Sequence, residues 1–149
     1  MAGHRDLTPA VAEAIEAACV CLGVQRAARA VGRRFDAAMR PVGLSNWQFG
    51  LLMLLNRDEA PTIGMLADAL AMDRTTVTAN LKPLERRGLL AIEVDAEDRR
   101  IRRPVLTPAG RTLLGEAIPL WEEAQAACED RLRRSDLAAF RAAMSALAV

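Results

Sequence analysis

Residues 62–107 read TIGMLADALAMDRTTVTANLKPLERRGLLAIEVDAEDRRIRRPVLT. The stretch opens on a short helical pattern, Ile63 to Leu70, with Thr62 placed to cap it. Its spacing predicts Met65, Leu66, Ala69 and Leu70 as the inward stripe. A corner at Met72-Asp73 leads into a second helix, Arg74 to Arg87, capped by Asp73. Val77, Leu81 and Leu84 recur at i, i+4 and i+7 and face inward, while Thr75, Thr76, Thr78, Ala79, Asn80 and Lys82 fall largely on the other faces. Pro83 removes one backbone donor and crowds the carbonyl of Ala79, which predicts a bend. Gly88 supplies a left-handed stop. Two strand-like runs follow, Leu89 to Val94 and Ile101 to Leu106, joined by the charged hairpin Asp95-Ala96-Glu97-Asp98-Arg99-Arg100. Pro104 can only place its nitrogen on an unpaired strand edge.

Helix, corner, helix and an arginine-tipped ribbon make the layout of a winged helix-turn-helix. That layout offers one helix to a DNA major groove and a basic finger to the backbone or a minor groove. Charge is distributed to match. Between Arg74 and Arg111 nine basic residues face five acidic ones, a net of +4 in a chain whose total is +1. The remainder is slightly acidic, so the basic patch rather than bulk charge is the electrostatic footprint.

Outside this module the chain is apolar and helical. Pro9 begins a long pattern through Ile15, Cys19, Leu22 and Phe35 to about Met39, where Pro41 and Gly43 end it. Ser45 with Gln48 forms a capping box for a helix apolar almost all round (Trp47, Phe49, Leu51 to Leu55), which predicts burial. Arg57 to Pro61 is a loop. Thr107 with Pro108 at the first helical position opens another long helix, through Leu114, Ile118 and Trp121 to about Arg134, with Pro119 inside it. Ser135-Asp136 caps a last one carrying Phe140 and Met144. Helices at 9–40 and 107–149 are too long for one small module to cover. They are expected to bury themselves against a second copy, with 45–106 as the winged DNA-binding module between them. The expected fold is mainly α with a small β-hairpin wing.

Composition bounds the rest. The 149 residues suit a single domain. Hydrophobic residues make up 52% and aromatic ones only 3%, so the core is aliphatic. No apolar run approaches the roughly 20 residues that span a bilayer, and the N-terminus lacks a signal-like apolar stretch; a cytoplasmic protein without membrane contact is expected. Cys19, Cys21 and Cys128 make neither a disulfide framework nor a metal-ligand spacing. No metal and no cofactor is expected.

The motifs Leu66-Ala67 with Leu70, Thr75-Thr76-Val77-Thr78 and Leu84-Glu85-Arg86-Arg87-Gly88-Leu89 come in one order. Asp98-Arg99-Arg100 follows, then Leu106-Thr107-Pro108-Ala109-Gly110. Together they resemble the MarR family of bacterial transcriptional regulators, over nearly the whole chain. The resemblance implies a homodimeric repressor on a pseudo-palindromic duplex. It places Thr75, Thr76, Thr78, Asn80 and Lys82 on the recognition helix, the hydroxyls and ammonium suiting phosphate and Asn80 a base edge. It places Arg99, Arg100 and the neighbouring Arg102 at or beside the wing tip. Asp98 is expected to brace Arg100 by a charge-assisted hydrogen bond. A plainer alternative is that the threonines only cap and solvate a helix.

The same resemblance implies two regulatory readings. Cys21 is similar in position to the sensing cysteine of the family's organic-hydroperoxide branch, and Cys128 to a partner that pairs with it across subunits. That branch holds its thiolate with tyrosines, and this chain has none. Cys19 and Cys21 within one helix point about 200° apart and cannot easily pair. The alternative is that all three cysteines are small buried fillers. A small aromatic or phenolic effector is the other reading, with Trp47, Phe49 and Met53 as candidate cleft residues; core packing explains them equally well. An enzyme is disfavoured, because His4 is the lone histidine and no nucleophile pattern or Gly-rich phosphate loop occurs. A winged helix used for protein contacts would leave the tip arginines without an anionic partner.

Overall fold

The computed structural model describes residues 6–148; His4 lies outside them. In chain order they form α1 (Pro9–Ala18), α2 (Val20–Met39), a 3-10 turn (Arg40–Val42), α3 (Asn46–Leu55), α4 (Ile63–Ala69) and α5 (Arg74–Arg86). Strands β1 (Leu90–Val94) and β2 (Arg102–Leu106) follow, then α6 (Pro108–Arg131) and α7 (Leu137–Leu147). Two compact units divide the chain, the boundary falling after Arg34, inside α2.

The first unit holds α1 and most of α2. Periodicity predicts one helix from Pro9 to about Met39; the chain instead breaks at Cys19. There the backbone is extended (φ −72°, ψ 105°). The Cys19 thiol acts as a cap for α2, accepting the Leu22 N–H at 3.4 Å. An ion pair spans the break, Arg26 Nη1 to Glu16 Oε1 at 3.3 Å. Apolar spacing could not reveal a one-residue interruption, because the stripe on either side barely shifts. Ile15, Val20, Val24 and Val31 are exposed.

The second unit carries the core, an aliphatic cluster that includes Met39, Leu52, Leu66, Val77, Leu81, Leu84, Leu90, Leu106 and Ala117. The 3-10 turn ends at Gly43 in the left-handed region (φ 64°). The capping box of α3 is formed, Ser45 Oγ accepting the Gln48 N–H at 3.2 Å and Gln48 Oε1 accepting the Ser45 N–H at 3.1 Å. The expectation that α3 is buried all round is corrected. Phe49, Leu51, Leu52 and Leu55 are buried, but Trp47 and Met53 are exposed, since α6 and β2 cover only one side of α3 within this unit. The stripe of α4 is also corrected. Leu66 and Ala67 are buried while Met65 and Ala69 point outward. Packing against α5 and β2 selects a face about one residue away from the one the pattern suggested.

The corner between α4 and α5 is tight and contains no glycine. Ala71 adopts φ 50°, the lone positive-φ non-glycine among the described residues. The Met72 N–H reaches back to Ala67 O at 2.9 Å, which closes the end of α4. A left-handed alanine costs roughly 1–2 kcal/mol. Ala71→Gly removes that strain and returns part of the gain as unfolded-chain entropy. The net expectation is a stabilisation of roughly 0.5–1 kcal/mol, read as a rise in Tm on thermal unfolding. A lower Tm would contradict it.

β1 and β2 pair antiparallel from Leu90↔Leu106 to Val94↔Arg102, placing Ile92 opposite Pro104. A two-stranded sheet leaves each strand one free edge, which is what Pro104 requires. The base of this ribbon is fastened by Thr107. Its N–H donates to Leu89 O at 3.2 Å, its hydroxyl donates to Gly88 O at 2.6 Å, and the same oxygen caps α6 by accepting the Gly110 N–H at 3.1 Å. α5 continues past Pro83 to Arg86 and α6 past Pro119 to Arg131. Asp136 caps α7, which buries no residue; Ile118, Trp121, Phe140, Met144 and Leu147 are exposed.

Candidate nucleic-acid interface

The outer face of α5 follows from its inner one. Val77, Leu81 and Leu84 are buried. At 100° per residue the positions farthest from them are Thr75, Ala79, Lys82 and Arg86, all exposed. Sequence reading left out Arg86, although its i+11 spacing from Thr75 was available. Thr76 and Thr78 sit on the flanks with their hydroxyl protons already committed. Thr76 Oγ1 donates to Asp73 Oδ2 at 2.6 Å and Thr78 Oγ1 donates to Arg74 O at 2.7 Å. Those two hydroxyls can accept as they stand, but must rotate to donate to a phosphate. Asp73 also accepts the Thr76 N–H at 2.8 Å. The Thr76 hydroxyl, then its N–H, holds the Asp73 carboxyl below the ordinary range.

Asn80 lies on the flank toward α3. It lines a pocket of about 270 Å³ with Ser45, Trp47, Gln48, Leu51, Leu70, Met72, Pro83 and Leu84. Of the three candidate cleft residues only Trp47 reaches this pocket. Phe49 is buried in the core and Met53 is exposed away from it.

At the wing tip the geometry is set by two aspartates. Asp95 Oδ1 accepts the N–H groups of Glu97 and Asp98, each at 2.9 Å, and Asp95 Oδ2 accepts Arg103 Nε at 2.5 Å. Asp98 Oδ1 accepts the Arg100 N–H at 2.9 Å. The Arg100 Nε lies 3.6 Å from the same oxygen, too far for a hydrogen bond. Asp98 thus braces Arg100 by a charge-assisted hydrogen bond to its backbone N–H, and pairs with its guanidinium only at longer range, leaving that group in solvent. Arg99 and Arg100 are exposed; Arg102, also exposed, donates through Nη1 to Arg99 O at 3.1 Å.

The basic patch is smaller than its formal charge. Arg87 donates to Gly43 O at 2.8 Å and Arg111 to Asn56 Oδ1 at 3.1 Å, and both keep their charge. Arg103 also stays charged, but that charge is offset at close range by Asp95 and Glu59. Sequence reading missed this pair. The available signal was cross-strand register, which brings Arg103 opposite Glu93 and close to Asp95.

The Asp95 carboxyl is pushed down to about 2 by the Asp98 N–H, then by the Arg103 side chain, then by the Glu97 N–H. Its contribution to wing stability is complete above the ordinary carboxyl value of 3.8 and is lost as pH falls through about 2. The amide signals of Glu97 and Asp98 are expected to titrate near that lower value and to lose the transition in Asp95→Asn. An Asp95 midpoint at its ordinary value would contradict this.

The cysteines do not behave as a set. All three are free thiols. Cys21 is exposed, accepting a hydrogen bond from Gln25 Nε2 at 3.3 Å, while Cys19 and Cys128 are half-buried. Buried filler is therefore the wrong description of Cys21. The argument that Cys19 and Cys21 share one helix also fails, because α2 begins after Cys19. Among the described residues no group of three or more His, Cys, Asp or Glu is placed to hold a metal ion, and no helix is long and apolar enough to cross a membrane.

A sequence model described as MarR family matches residues 42–101. No curated protein matches this chain. Among solved structures, the M. tuberculosis transcriptional regulator MosR in complex with DNA is 36% identical, with 87% of this chain and 93% of that one covered and a TM-score of 0.77. A transcriptional repressor, CouR, bound to a 23-mer DNA duplex, is 28% identical, with 96% of each chain covered and a TM-score of 0.71. BpsR of Bordetella bronchiseptica, whose DNA binding is regulated by 6-hydroxynicotinic acid, is 27% identical, with 88% and 91% covered and a TM-score of 0.73.

Proposed function

This chain belongs to the MarR family of DNA-binding transcriptional regulators, and from that premise we propose that it represses transcription as a cytoplasmic homodimer on a pseudo-palindromic duplex. The observation that carries the reading is the conjunction of two exposed elements in one compact unit. One is the α5 face of Thr75, Lys82 and Arg86; the other is the exposed Arg99-Arg100 tip. A helix of this kind fits a major groove, and an arginine tip fits a narrow minor groove or a phosphate pair. Thr76, Thr78 and Asn80 act from the flanks, Arg102 from the base of the tip. Exposed apolar side chains on α6 and α7 supply a surface for the second copy. Two copies would set their α5 helices about one DNA turn apart.

Release by a small aromatic compound is part of the proposal. It is supported by the control of BpsR by such a compound and by the pocket beside Asn80. Selection of bound duplexes from a random pool tests the whole reading. An inverted repeat is the expected product, with light scattering giving twice the chain mass. A monomer, or a pool with no enrichment at low salt, would overturn it.

A further inference from the structure

Arg103 differs from every other basic residue of the patch. Its side chain is 23% exposed, against 93% for that of Arg100. Two hydrogen bonds and an ion pair radiate from one guanidinium. Nε donates to Asp95 Oδ2, Nη1 donates to Ala60 O, and Nη1 lies 3.4 Å from Glu59 Oε1. These partners belong to separate parts of the unit. Arg103 stands on β2, Asp95 opens the tip turn, and Glu59 and Ala60 lie in the loop between α3 and α4. The other Asp95 oxygen holds the N–H groups of Glu97 and Asp98, the residues leading into Arg99 and Arg100.

A lone two-stranded ribbon is marginal in water and needs packing to hold its place. Here Thr107 fastens the base. Four residues along β2, roughly 13 Å away at strand rise, Arg103 fastens the ribbon again, this time to the α3–α4 loop. Two anchors fix a direction where one would leave a pivot. The fork of a guanidinium suits this job, since a lysine ammonium cannot hold the carboxylate and the carbonyl in one plane. With two carboxylates on it, Arg103 also has little charge left to offer a phosphate.

We propose that Arg103 is a positioning residue for DNA binding: it aims the wing tip relative to α5 and acts only through Arg99 and Arg100. The proposal rests on the DNA-binding reading above. It makes Arg103 unlike the arginines around it, which act by contact.

A double-mutant cycle tests it, using a duplex recovered by selection and fluorescence anisotropy at fixed salt. Arg103→Met is expected to weaken the parent by about tenfold, the scale of one charge-assisted contact. In an Arg99→Ala/Arg100→Ala background it is expected to cost nothing more. Arg103→Lys, which keeps the charge and loses the fork, is expected to behave like the methionine variant. In the free protein, amide exchange over residues 95–101 is expected to speed up in Arg103→Met while that of α5 stays unchanged. Equal losses in both backgrounds would mean that Arg103 contacts DNA or supports the whole fold, and would overturn the proposal. So would full affinity in Arg103→Lys, or unchanged exchange at the tip. Failure of the parent itself to bind any selected duplex would instead remove the DNA-binding reading, a result distinguishable from additive losses.

Discussion

Gly110→Ala is expected to destabilise the fold by roughly 3 kcal/mol or more, at the upper end of overpacking effects. A Cβ at this position would lie 2.0 Å from Leu89 O and 3.0 Å from Leu89 C, with Leu106 Cδ2 at 3.1 Å. The obstacle is backbone, so no rotamer change relieves it. That backbone is also pinned, because Leu89 O accepts the N–H of Thr107 and Leu89 N–H donates to Leu84 O at 3.0 Å. To admit the methyl group, α6 must back away from the start of the ribbon and loosen Leu106 and Leu114 with it. At 2–4 °C per kcal/mol for a chain of this size, Tm should fall by about 10 °C. Gly115→Ala is the matched control. It lies on the same helix with nothing within 4 Å of the added Cβ, and should stabilise by roughly 0.5–1 kcal/mol. Two variants with the same sign would refute the close-approach explanation.

The second large effect is on affinity. Arg99→Ala/Arg100→Ala is expected to weaken binding to every duplex by roughly ten- to a hundredfold, the loss of one or two charge-assisted contacts. The slope of log affinity against log salt should shrink by about 0.9 for each phosphate contact removed. Stability should hardly change. The Arg100 guanidinium is almost fully exposed, at 3.6 Å from Asp98, a geometry that contributes little to folding. Thermal unfolding and salt-titrated anisotropy together separate the two roles. An unchanged salt slope would show that the tip does not meet the backbone of DNA.

How far the sequence could be read depended on how local each feature is. The caps at Ser45, Thr62, Asp73, Thr107 and Asp136 all form as the residues suggest, because each needs only a side chain and a backbone N–H a turn away. The inward stripe of α5 was equally legible, since thirteen residues sample its period several times. The seven residues of α4 do not, so Met65 and Ala69 were assigned to the wrong side. The break at Cys19 was invisible because the cap there is a thiol, a residue type rarely read as one. Charge misled most. Arg103 counted toward the basic patch on formal charge, but its partners Ala60 and Glu59 are more than forty residues away in the chain. Likewise the threonines of α5 announce polar contact, yet two of them already spend their protons on Asp73 and Arg74.

The chain contains two tryptophans and no tyrosine. Trp47 stands at the rim of the cavity that Asn80 shares, and Trp121 stands on α6. The protein therefore has an intrinsic fluorescence with only two emitters. In Trp121→Phe a single indole remains, half in water and beside α5, so emission colour becomes a direct optical gauge of whatever settles against that helix.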